Sequence, residues 1–160
     1  MIAAALREIR ALARGLSPVE LDARGICAAL NELGEMTRQA SGLRCDVVCD
    51  EDSALDDSQA ALHVLRIAQE AVNNAVRHAH ATRIEISLAA LAGTVTLTVR
   101  DNGKGFDGDT APTAGLGLRT MTHRARLLGG NLAVRPAPGG GTLLVCTFRQ
   151  VGTAPSEETP

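Results

Sequence analysis

Three short stretches hold residues whose types and spacing could do chemistry. In Arg66 to Ala79, RIAQEAVNNAVRHA, the residues Glu70, Asn74 and Arg77 follow one another at i, i+4 and i+7. On a helix that spacing sets a carboxylate, an amide and a guanidinium along one stripe. An acid and an amide one turn apart can hold a hydrated divalent cation, and an arginine one turn further can meet phosphate oxygens. The second stretch is Asp101-Asn102-Gly103-Lys104-Gly105, placed where a strand is expected to end. An aspartate there can accept a hydrogen bond from an exocyclic amine, and the glycines let backbone approach a ligand. The third, Gly115-Leu116-Gly117-Leu118, opens a helix, and free N–H groups at a helix start favour phosphate. Taken singly, each also has an ordinary explanation: a solvated helix face, a tight turn, a helix start. No GxxxxGK[ST] sequence is present, so none of them is a P-loop.

The elements that must position these groups follow from periodicity. Ala61, Leu65, Ala68, Val72 and Val76 share the sector opposite the Glu70 stripe, which makes the central helix amphipathic. Arg83 to Leu88 and Thr94 to Arg100 alternate as strands, with Ala92-Gly93 as the hairpin turn between them. Residues 106–114, rich in Gly, Asp, Thr and Pro, have the composition of a lid. A helix from Leu116 to Leu128 is closed by Gly129-Gly130. Strands at Asn131 to Arg135 and Thr142 to Arg149 are joined by a flexible PAPGGG.

Upstream, Ile2, Ile9 and Leu16 repeat at seven in a first helix, as in a bundle or coiled coil, and Ser17-Pro18 breaks it. A second helix is predicted from Val19 to Gln39, with Leu21, Ile26, Leu30, Leu33 and Met36 inward and Gly25 and Gly34 as weak points. Ser41-Gly42 stops it. Leu43 to Cys49 is a short strand, and the acidic turn DEDSALDD leads into the central helix, its acids near the positive end. The tail VGTAPSEETP is polar and expected to be disordered.

Composition bounds the function. The chain has 160 residues, 45% hydrophobic and 21% charged, with net charge −2. That is enough for one core, and it gives no electrostatic case for nucleic acid or an anionic membrane. No apolar run is long enough to span a bilayer, and the N-terminus has no signal-peptide layout. The four cysteines form no metal-ligand pattern. Cys45 and Cys49 fall on one side of a strand, and all four are expected to be reduced, packed thiols of a cytosolic protein. With no Trp or Tyr and two Phe, a base-binding pocket here must be largely aliphatic.

The combination is more specific than its parts. ExxxN on a helix, DxGxG after a strand, GLGL opening a helix and GT opening a late strand, in this order, resemble the ATP-binding domain of sensor histidine kinases, Hsp90-type chaperones, gyrases and MutL (the GHKL, or Bergerat, superfamily). QEAVNNAVRHA, DNGKGFD and GLGLRTMTHRARLLGG are similar to the sensor histidine kinases that partner NarL-type response regulators. REIRALARGLSPVELDARGICAAL resembles the passage from their dimerisation domain into the catalytic domain. The resemblance spans Arg7 to Phe148. It implies an α/β fold: a two-layer sandwich with a mixed sheet, helices on one face and an N-terminal helical stub. Residues 1–16 would end a dimerisation helix, 17–149 would form the ATP-binding catalytic domain and 150–160 a disordered tail.

The resemblance also implies roles. Asn74 would coordinate Mg²⁺ on the ATP phosphates. Glu70 would position a reactive group or support the metal through water, and Arg77 and His78 would lie beside the phosphates. Asp101 would read the adenine amine with Thr142 behind it, and Gly103 and Gly105 would admit the nucleotide. Gly115, Leu116, Gly117 and Leu118 would close on the phosphates. Thr120 and His123 replace what are often Gly and Glu, and both are expected to face solvent. The family's phosphoacceptor histidine is followed by an acid. His63, His78, His80 and His123 are followed by Val, Ala, Ala and Arg, so none fits, and His63 reads as a surface histidine. The implied partners are a histidine-bearing dimerisation domain of a homodimeric parent and a response regulator. No nucleic acid and no direct membrane contact are implied, in a cytoplasmic protein or the cytoplasmic part of a membrane-bound sensor. An ATP-gated conformational module, an anti-sigma-type serine kinase and a degenerate scaffold use the same pocket. The nine-residue lid and the upstream segment argue against the first, the upstream helix against the second, and the intact Asn74, Asp101 and glycine boxes against the third.

Overall fold

The computed structural model describes residues 25–105 and 115–150. The first helix, the Val19–Arg24 part of the second, the lid at 106–114 and the tail from 151 lie outside the described residues. Helix α1 (Gly25–Ser41) leads into strand β1 (Arg44–Cys49), and a short 3-10 turn (Glu51–Ser53) precedes helix α2 (Ser58–His78). Strands β2 (Arg83–Leu91) and β3 (Thr94–Asp101) follow, then helix α3 (Leu116–Leu127) and strands β4 (Asn131–Pro136) and β5 (Thr142–Arg149). The sheet order is β1-β2-β3-β5-β4. β1 runs parallel to β2, and every other pair is antiparallel. The parallel pair requires a crossover, which α2 supplies.

Alternation decides which face of the sheet the helices cover. On β2, Ile84, Ile86 and Leu88 are buried; on β3, Val95, Leu97 and Val99; on β5, Leu144, Cys146 and Phe148. Their neighbours Glu85, Ser87, Thr98 and Arg100 lie on the opposite, wetter face, where Arg83 pairs with Asp46 and Glu85. All three helices among the described residues therefore lie on one side, giving the two-layer mixed-sheet α/β sandwich expected. From α2 the core takes Val64, Leu65, Ile67 and Val72, each 0–1% exposed. Burial of each such side chain contributes about 1.5–3 kcal/mol. From α1 it takes Ile26, Leu30 and Leu33, as anticipated, while Met36 is only partly covered. Gly34 is no weak point: a Cβ there would stand 2.6 Å from Val47 Cγ2, so the glycine lets α1 lie close on β1.

The turns behave as their residues dictate. Asp57 caps α2, its carboxylate accepting from the Gln59 N–H at 2.9 Å. Ala92 and Gly93 both adopt positive φ, +50° and +76°, as a two-residue hairpin needs. Gly129 (φ +68°) ends α3 in a Schellman arrangement, with Gly130 N donating to Ala125 O and Gly129 N to Arg126 O.

Four expectations change. The PAPGGG link is an ordered turn, in which Ala137 N donates to Gly141 O and Gly140 N to Ala137 O, with Ala137 buried. Gln150, placed at the head of the tail, is tethered: its N–H bonds Gly93 O and its amide bonds Ala54 O, both at 3.0 Å. Cys45 and Cys146 are free and buried, but Cys27 and Cys49 are joined as a disulfide, their Cα atoms 5.8 Å apart. Reading all four as reduced missed a pairing made only when α1 lies across β1. His63 is half-buried between helices, its Nδ1 3.2 Å from Arg124 Nη1. Among the described residues, no helix is long and apolar enough to cross a membrane.

Candidate functional site

The cleft builds itself from where the strands and helices end. Along β3, Val95, Leu97 and Val99 point to the helix side, so the next residue of that parity, Asp101, ends the strand with its carboxylate on the same side. Thr142 opens β5 with the parity of Leu144 and meets Asp101 there. Asp101 is 7% exposed, and its Oδ1 accepts from Gly103 N at 2.8 Å and Thr142 N at 3.3 Å. Both bonds fall on Oδ1, and Oδ2 has no partner among the described residues. A carboxylate fixed through one oxygen presents the other as a hydrogen-bond acceptor.

The loop after Asp101 is stitched to the end of α2. Asn102 Oδ1 accepts from Thr82 N at 2.9 Å and Arg83 N at 2.8 Å, while its Nδ2 donates to Thr82 Oγ1. Lys104 N donates to Ala79 O at 2.8 Å. Gly103 lies directly against Ala79, where a Cβ would collide with backbone. Gly105 (φ +83°) packs on Gly141, and Gly141 (φ +93°) lies against the Asp101 carbonyl with no room for a side chain. A strand end, a helix end and a turn thus meet through backbone alone.

Between these elements opens a cavity of about 650 Å³. Glu70, Asn74, Arg77 and His78 line it from α2; Asp101 and Gly105 line it from the loop. Gly115, Leu116, Gly117 and Leu118 line it from the start of α3, and Thr142 from β5. Of the twelve residues read as a site, only Gly103 stays out of the lining, and it sets the approach of the loop to α2. Gly117 fits against the Glu70 carboxylate, so a side chain there would displace it. The first turn of α3 has no side-chain cap and no acid, which leaves its N–H groups and dipole turned to the cavity. The floor is Val99, Met121, Val134 and Leu144 with Ala71 and Ala75, the aliphatic lining that a chain without Trp or Tyr requires.

Reading the sequence missed Lys104, Met121, Val134, Leu144 and Gly141 as parts of the site. Lys104 stood between two glycines already singled out, and Leu144 follows Thr142 at strand parity, so both carried a signal. Met121 and Val134 did not, because only the packing of α3 and β4 across the sheet brings them in. Thr120, expected to face solvent, is exposed but stands on the cavity rim, whereas His123 is exposed away from it.

The histidine kinase-, DNA gyrase B- and HSP90-like ATPase family matches residues 59–151, more than half of the chain. The chain belongs to this family and carries its ATP-binding domain. It is 35% identical over 142 residues to the sensor histidine kinase MctS of Rhizobium johnstonii, covering 87% of this chain and 31% of the relative. It is 36% identical over 123 residues to the nitrate/nitrite sensor protein NarQ of Escherichia coli, covering 76% of this chain and 22% of the relative. The chain thus spans about a third or less of the length of these relatives. The histidine kinase domain of the blue-light activated histidine kinase of Erythrobacter litoralis shares the fold, with TM-score 0.67 and 23% identity. That match covers 78% of this chain and 61% of that one.

Proposed function

We propose that this chain is the catalytic domain of a sensor histidine kinase, transferring the γ-phosphate of ATP to a histidine on a separate dimerisation domain. The phosphoryl group would then pass to a response regulator, of the NarL-partnered type in view of the likeness to NarQ. One observation carries the reading: Asp101, Glu70, Asn74 and the uncapped start of α3 line one cavity. Asp101 Oδ2 accepts the adenine amine while the aliphatic floor holds the base, and Thr142 keeps the carboxylate aimed. Gly105 leaves the nucleotide a backbone wall, and Gly103 holds that loop against the end of α2. The N–H groups of Leu116 and Gly117, with Arg77 and His78, take the phosphate end.

The donor chemistry fits Mg²⁺. Asn74 and Glu70 offer an amide oxygen and carboxylate oxygens one turn apart on α2, and both line the cavity. Mg²⁺ is commonly held by one or two protein oxygens with water and substrate phosphates completing its shell. Asn74 would hold it and Glu70 would support it, and the ion supplies neutralisation of phosphate charge. Phosphoryl transfer asks the protein mainly for position and electrostatics. The acceptor nitrogen bonds to the γ-phosphorus as the bond to the ADP oxygen breaks, and Glu70 stands where it can orient the incoming group.

In this reading residues 1–16 are the end of a dimerisation helix, 17–149 the catalytic domain and 150–160 a tail, in a cytoplasmic part of a homodimeric parent. Calorimetric titration with ADP and a non-hydrolysable ATP analogue, with and without Mg²⁺, tests the pocket. Adenine-specific binding strengthened by Mg²⁺ supports it, and absence of binding overturns it. Transfer is tested with γ-labelled ATP and a histidine-bearing dimerisation domain supplied in trans. Acid-labile label on that domain and none on this chain is the expected result. Label on His63, His78, His80 or His123 would refute the separate-acceptor reading.

A further inference from the structure

Packing besides the disulfide holds α1 in place. Ile26, Leu30, Leu33 and the buried Thr37 already fix α1 on α2 and β1, and a chain of this size supports its own core. Cys27 lies on α1 close to Gly25 and Cys49 is the last residue of β1, and neither is fully buried. Ser53, whose hydroxyl is anchored on the Asp50 carbonyl, is 0% exposed and sits under the bond. Its Oγ is 3.7 Å from Cys27 Sγ and 3.4 Å from Cys49 Sγ, within reach of both. The hydroxyl donates its one proton to the Asp50 carbonyl, so it can serve a thiolate formed when the bond opens only by turning from that carbonyl. Cys45 and Cys146 offer no competing nucleophile: both are fully buried, and burial pushes each thiol up to about 11.

We propose that Cys27 and Cys49 form a reversible thiol–disulfide exchange site that fastens the Gly25–Leu30 part of α1 to the far end of the sheet. Its co-reactants are small disulfides and dithiols. In the closing direction a thiolate of the pair attacks one sulfur of a low-molecular-weight disulfide and expels a thiolate, leaving a mixed disulfide. The second cysteine thiolate then attacks the cysteine sulfur of that bond and expels the other thiolate. Two protein thiols are oxidised by two electrons, and one disulfide is reduced to two thiols. A dithiol runs the sequence backwards. In a reducing compartment a bond of this kind is transient and sensing rather than structural.

The location says what such a site controls. Cys49 pairs with Leu88 in the parallel register, while Asp101 pairs with Ile84, so the bond lies at the end of the sheet remote from the cavity. Closing it therefore leaves the cavity alone and acts on the Gly25–Leu30 part of α1. The proposal stands whether or not the kinase reading does.

The test uses the full chain equilibrated in graded ratios of reduced to oxidised dithiothreitol, followed by alkylation of native protein and mass spectrometry. Expected is one transition in which Cys27 and Cys49 become alkylated together while Cys45 and Cys146 stay protected. Amide exchange in residues 25–30 should rise several-fold on reduction, and a Cys49→Ser variant should show that faster exchange at every ratio. Affinity for ADP should stay within twofold throughout. A pair that stays oxidised at every ratio leaving the fold intact, or that never forms, would overturn the proposal. So would a bond between two copies of the chain, or exchange in 25–30 that ignores redox state.

Discussion

Replacing Asp101 by asparagine separates what this residue does for the fold from what it does for a ligand. In the native chain Oδ1 accepts two backbone N–H groups, from Gly103 and Thr142, and an asparagine oxygen can accept both in the same place. Alanine would instead orphan two donors in a site only 7% exposed, and so confound binding with stability. In Asp101→Asn the amide nitrogen replaces Oδ2, so a donor faces the exocyclic amine that the carboxylate accepted. Loss of a hydrogen bond to a charged group costs about 1.5–3 kcal/mol, or about 12- to 140-fold in affinity. Calorimetry with ADP and with purine riboside diphosphate, which lacks the 6-amino group, completes a double-mutant cycle. The substitution should weaken ADP by that factor and leave the amine-free analogue nearly unchanged. Equal losses for both ligands, or none for either, would refute the adenine contact.

Three other outcomes are expected. Asn74→Ala should abolish the strengthening of nucleotide binding by Mg²⁺ and any transfer. Stability should stay within about 0.5 kcal/mol, since the residue is half-buried on a helix and alanine is a good helix former; persistence of the Mg²⁺ effect in calorimetry would remove Asn74 from the metal. Gly141→Ala should cost about 2 kcal/mol or more in urea unfolding, combining a φ of +93° with a collision against Asp101 backbone. Gly140→Ala (φ +104°) meets nothing within 4 Å and should cost less, so equal losses would discount the contact. His63 is held below its usual range first by burial and then by Arg124, with His123 adding to this and Asp57 opposing it. The folded state then binds fewer protons than the unfolded one, so this contribution to stability is complete above about pH 6.5 and is lost as pH falls through the lowered folded value. Urea midpoints of His63→Gln should fall less on acidification than those of the native chain, and parallel curves would refute the assignment.

The cleft was legible because its chemistry is carried by local patterns. The Glu70 stripe needs only helical periodicity, Asp101 only strand parity, and Gly117 only its place at a helix start. What was not legible depends on elements distant in sequence. The parallel β1–β2 pairing leaves no mark on either strand, since register across a crossover is decided by packing. Cys27 and Cys49 lie 22 residues apart on different elements, whereas the nearer pair, Cys45 and Cys49, drew attention by its spacing. His63 reads as a surface residue from α2 alone and becomes half-buried only when α3 brings Arg124 to it. The run of glycines in PAPGGG has the composition of slack chain, yet Gly141 is glycine because the Asp101 carbonyl leaves no space.

The glycines at 103, 117 and 141 also bear on inhibitor escape. Gly117 lines the cavity and Gly103 and Gly141 brace the loop behind it, and a Cβ at any of them would strike the Glu70 carboxylate, the Ala79 backbone or the Asp101 backbone and so disturb the site itself. Drift is easier at Val99, Met121, Val134 and Leu144, whose side chains can exchange size among aliphatic residues. A competitive compound that draws its affinity from the backbone faces would meet few viable resistant variants. One that draws it from the aliphatic floor would select for them quickly.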